Sequence, residues 1–104
     1  MCSKEASSKI YISVRGVRMT LCWSPETDAV ATFDYVYGGS EIYETCEGSL
    51  SQVLERAGSI ISRVYPVHFL RTATPLRVLQ WLCCSQQVRE PQFAWLVRGL
   101  QPIG

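Results

Sequence analysis

Histidine and lysine are scarce in this 104-residue chain, which has one His (His68) and two Lys, Lys4 and Lys9. Nucleophilic catalysis needs an activated hydroxyl or thiol beside an oriented base. Nothing near His68 in sequence pairs the lone imidazole with such a group. It alternates with Val67 and Phe69, as on the polar side of a short strand. No Cys-x-x-Cys occurs, so the ligand spacings of a structural zinc site are missing. The glycines never reach the G-x-G-x-x-G or G-x-x-x-x-G-K-[ST] spacing that cradles phosphate. Neither metal nor cofactor is expected, and the chain does not read as an enzyme.

Long apolar runs are also absent. None approaches the roughly 18 to 20 residues of a membrane span, and MCSKEASSK lacks the apolar centre of a secretion signal. With 47% hydrophobic and 18% charged residues, the composition is that of an ordered domain rather than a disordered segment. The five cysteines (Cys2, Cys22, Cys46, Cys83, Cys84) are an odd number. A cytoplasmic protein with reduced thiols is the expectation. Cys22 and Cys46 are expected to face inward as filler. Cys83 and Cys84 are adjacent, turned by about 100° on a helix, and a bridge between them would be strained. A thiol-dependent enzyme or redox sensor at that pair is one alternative function.

The net charge of +1 is unevenly spread. Seven acids and no Lys or Arg occupy Glu26 to Glu55, whereas six arginines face the single Glu90 from Arg56 onward. Such polarity suits packing between the two parts, or pairing between copies.

Several segments announce their structure. KIYISV (9–14) and VRMTLCW (17–23) alternate with period two, as strands do. AVATFDYVY and EIYETCE make a third and a fourth strand around Gly38-Gly39, with SPETD as the preceding turn. A two-residue turn at the glycines sets Tyr35 opposite Ile42, Phe33 opposite Glu44 and Ala31 opposite Cys46. A three-residue turn would oppose Asp34 and Glu44, which is unfavourable. Ser49 and Gln52 form a capping box. From there Leu50, Val53, Leu54, Ala57, Ile61 and Val64 make one helical stripe as far as Tyr65-Pro66. VHFL (67–70) reads as a short strand. Helices are expected at 75–84, after Thr74-Pro75, and at 91–99. The fold class is therefore α+β: a small antiparallel sheet of three to four strands packed by one amphipathic helix, with two short C-terminal helices. Residues 1–8 read as a flexible tail and 9–104 as a single domain.

The helix 75–84 is apolar nearly all round, more than a small sheet is expected to cover. Trp81 and Trp95 are therefore expected at a homodimer or partner interface, beside Arg98, since Trp and Arg are enriched at binding hot spots. Asp34, Glu41, Tyr43 and Glu47 share the polar face of the hairpin and form a second expected partner surface. The function read from the sequence is a protein-interaction module. The other alternative is a nucleic-acid binder using Arg77, Arg89 and Arg98, for which the second short helix offers few groove-reading side chains.

Overall fold

Period-two patterning in the first half of the chain produces four consecutive strands. They are β1 (Ser8–Val14), β2 (Val17–Ser24), β3 (Thr27–Tyr37) and β4 (Ser40–Gly48). The computed structural model describes residues 8–24, 27–65 and 74–100. The strands pair antiparallel in the order β1-β2-β3-β4, a meander. The expected strand VHFL, with His68, and the Pro25-Glu26 turn lie outside the described residues. Ser8 already belongs to β1, one residue ahead of the expected start.

The β3–β4 register is the one the two-residue turn predicts: Ala31 pairs with Cys46, Phe33 with Glu44 and Tyr35 with Ile42. Gly38 and Gly39 have φ of +62° and +80°, the left-handed conformation that a type I′ turn demands at both central positions. Ile10, Ile12, Val14, Val17, Met19, Leu21, Ala31, Phe33 and Tyr35 are buried on one face of the sheet. The other face carries Tyr11, Arg18, Thr20, Thr32, Asp34 and Tyr43, all exposed or half-exposed. One wet face is ordinary for an antiparallel sheet.

Helix α1 (Leu50–Val64) begins at the predicted capping box. The Ser49 hydroxyl accepts from the Gln52 amide at 3.1 Å, while the Ser49 amide donates to Gln52 Oε1 at 3.0 Å. Val53, Leu54, Ala57, Ile60 and Ile61 are buried, and α1 packs across β2, β3 and β4. Helices α2 (Pro75–Cys84) and α3 (Pro91–Gly99) each open with proline, which loses no hydrogen bond at a first helical position. The Thr74 hydroxyl caps α2 through the Arg77 amide, and the Glu90 carboxylate caps α3 through the Gln92 amide.

Helix α2 corrects one expectation. It packs against both α1 and α3, and Leu76, Val78, Leu79 and Leu82 are buried without any second chain. A helix covered from two sides can be apolar on two sides. The inner sheet face and the described helices form one continuous core.

Gly58 permits this arrangement. A Cβ on it would lie 2.7 Å from the Pro75 carbonyl carbon and closer still to the oxygen, so α2 starts against the bare backbone of α1. Helix propensity alone says that Gly58→Ala should gain about 1 kcal/mol. The contact with rigid backbone reverses the sign, and we expect a net loss of about 1 to 3 kcal/mol, measured by urea denaturation. A stabilised Ala variant would show that α1 and α2 do not meet there.

Candidate functional site

Strand β4 lies at one edge of the sheet, and a polar cluster on its inner side pins it. Glu44 faces inward, as its pairing with Phe33 requires. The hydroxyl of Tyr35, a residue only 2% exposed, donates to Glu44 Oε1 at 2.6 Å. Arg56 on α1 donates to Glu44 Oε2 from Nε at 3.0 Å and from Nη2 at 2.7 Å. The Tyr35 hydrogen bond, with help from Arg56, holds the Glu44 carboxyl below the usual carboxylate range. Burial and the bond to Glu44 push the Tyr35 phenol up. Neither the hydrogen bonds nor the role of Arg56 was anticipated, although the register already put Glu44 on the core face.

At the opposite edge of the sheet, Arg15 (φ +52°) occupies the β1–β2 turn. Its guanidinium lies 4.1 Å from the centroid of the Tyr65 ring, and its Nε donates to Gln87 Oε1 at 2.8 Å. This strap joins the first hairpin to the end of α1 and to the α2–α3 connection. It too was missed, because its partners are far away in sequence.

The expected hydrophobic anchors part company. Trp81 is half-buried and packs against the core. Trp95 is 70% exposed; it stands on α3 away from Phe93, Leu96 and Val97, which are buried. Beside it opens a hollow of about 390 Å³, lined by Leu50, Trp95, Leu96, Arg98, Gly99 and Leu100. A smaller hollow of about 250 Å³ runs between α2 and α3, lined by Gln80, Cys83, Cys84, Ala94, Val97 and Arg98. Burial, and then the neighbouring Cys84, raise the Cys83 thiol to about 11. At neutral pH such a thiol is almost wholly protonated and a poor nucleophile.

The second expected surface forms on the outer sheet face. Tyr43 is 70% exposed, Glu41 and Glu47 are exposed on the same strand, and Asp34 pairs with Arg18 at 2.7 Å. Arg77, Arg89 and Arg98 are exposed. The described residues hold no group of three or more potential metal ligands.

Cys46 is free, half-buried and on the inner face, as expected. Cys22 departs from expectation twice. It alternates with Leu21 and so faces the outer side, opposite Lys9 and Val30, and it is disulfide-bonded rather than reduced. No helix among the described residues is long and apolar enough to cross a membrane.

No known protein family, curated protein or solved structure matches this chain. The candidate surfaces therefore rest on their own chemistry.

Two measurements check this geometry. A carboxyl held low in the fold contributes stability above its unfolded pKa, and that stability disappears as pH falls through the folded value. Glu44→Gln is expected to lose about 1 to 2 kcal/mol at neutral pH and to flatten the fall in stability below about pH 4.5. An unchanged acid limb of the stability profile would mean that Glu44 is not held as described. Separately, iodoacetamide should label Cys83 slowly at pH 7 and progressively faster towards pH 11. Rapid labelling of Cys83 at neutral pH would bring the thiol-chemistry alternative forward.

Proposed function

We propose that the protein is a non-enzymatic interaction module that pairs with a second copy of itself through α3. The observation that carries this reading is Trp95, 70% exposed beside an apolar hollow lined by Leu50, Leu96 and Leu100. An indole in water at such a place is a typical binding anchor. The knob and the hole are neighbours on one surface. A two-fold axis through that surface lets each copy seat its Trp95 in the other's hollow, which is the condition for an isologous interface. Arg98, at the rim of the hollow, is suited to planar and charge-assisted contacts across it.

The alternatives have less support. The exposed polar side chains of α3 are Gln92 and Arg98, too few to favour a groove-reading nucleic-acid surface. The raised Cys83 thiol does not favour thiol catalysis.

Sedimentation equilibrium tests the reading. The native chain should approach twice its 11.7 kDa mass as concentration rises. Trp95→Ser should stay monomeric over the same range with unchanged unfolding, because an exposed side chain contributes little to the fold. Removal of a central aromatic anchor should weaken pairing by tenfold or more. A native chain that remains monomeric, or a Trp95→Ser protein that pairs as well as the native one, would overturn it.

A further inference from the structure

Among the described residues β4 has a strand neighbour on one side only. The two-residue turn makes Tyr37 and Ser40 the hydrogen-bonded closing pair. Antiparallel pairing then alternates, so Ser40, Ile42, Glu44 and Cys46 direct their backbone groups to β3. Glu41, Tyr43, Thr45 and Glu47 direct theirs to the open edge. A row of unpaired N–H and C=O groups is a template for another strand. It is nine residues long (Ser40–Gly48) and contains no proline. The usual edge device, an inward-pointing charge, is present in Glu44 but is neutralised by Arg56 and hydrogen-bonded by Tyr35, so it does not block an incoming strand.

The side chains on this edge decide what can be added. In the antiparallel register that pairs all four outward residues with a second β4, Glu41 falls opposite Glu47 twice and Tyr43 opposite Thr45. Like charges directly opposite are unfavourable, so this fully paired register is disfavoured between two native copies. No Lys or Arg lies between Glu26 and Glu55 to relieve the two glutamates in sequence. A strand with cations at those two places would meet both glutamates and could cover Tyr43, 70% of which is in water. Phosphate backbones are repelled by the same charges.

We propose that the β4 edge receives an extended basic segment of a partner protein by strand addition, with two cations six residues apart opposite Glu41 and Glu47. This deepens the interaction-module reading by naming the chemistry of the partner. It uses a surface other than α3.

The probe is the protein itself. Two proteins are made, both carrying Trp95→Ser so that α3 pairing plays no part. One keeps the native β4, and the other carries Glu41→Lys and Glu47→Lys, which turns its own β4 into a basic strand of the required spacing. Each alone should be monomeric, because like charges then oppose in both. An equimolar mixture should form a one-to-one pair in sedimentation and native mass spectrometry, weakening at least tenfold at high salt. In that pair, amide hydrogen exchange at positions 41, 43, 45 and 47 should slow at least tenfold. A mixture that stays monomeric overturns the proposal. So does a pair in which those four amides remain unprotected, since charge attraction alone would then explain it. If the doubly substituted protein fails to fold, Glu41→Lys by itself supplies the test. The new cation then falls opposite Glu47 of a second copy, so this variant should pair with itself, and a monomer would count against strand addition. Because Trp95 is absent throughout, failure of the α3 reading leaves these outcomes unchanged.

Discussion

The register of the β3–β4 hairpin is the constraint on which the rest of the molecule depends. Side chains alternate along a strand with a period of two, so a slip of one residue would exchange the two faces. With β3 held by its pairing with β2, Ile42, Glu44 and Cys46 would turn into water, and Tyr43 and Thr45 would move under the helix. Gly38-Gly39 prevents this because both positions require positive φ, which glycine adopts without strain. Once the register is set, Glu44 must point inward beside Tyr35, and Arg56 on the helix directly downstream comes within reach. The same choice sets Glu41, Tyr43 and Glu47 on the wet side. The core, the pinned edge strand and the acidic surface follow from one turn.

Much of this architecture was legible in the residues because its signals are local. Alternation over seven to eleven residues, a capping box and two Pro-initiated helices each involve neighbours in sequence, and each element lies within a residue or two of its expected place. What the sequence hid was mostly long-range. Gly58 looked like a weak point in α1, and its purpose appears only when Pro75 of α2 is laid against it. The apolar surface of α2 seemed excessive because α1 and α3 were not counted together as its cover. Cys22 was assigned to the wrong face, although its alternation with Leu21 was visible in the residues themselves.

The candidate surfaces were half legible for a related reason. Composition marks Trp81 and Trp95 equally, but helix periodicity separates them. Trp95 lies between the buried Phe93 and Leu96 and turns away from both. Trp81 sits on a helix packed from two sides, where even an off-face position is partly covered. The acidic residues of β4 were recognisable as a group. That Glu44 serves the interior while Glu41 and Glu47 face water depends on the parity of their positions.

The strap at Arg15 bears on how the chain reaches this structure. Each strand of the meander pairs with its neighbour in sequence, and α1 follows directly from β4 to cover the sheet. Such closures span short loops, cost little chain entropy, and belong to topologies that fold quickly. The bond from Arg15 to Gln87 spans 72 residues, and it joins the first turn of the molecule to a connection made near its end. It can close only after the intervening sheet and helices have brought its two ends together. Its exposed position and long loop place it at the weak end of the range of local stabilities. When the strap is closed the fold is complete, and on partial unfolding it should be among the first contacts to open.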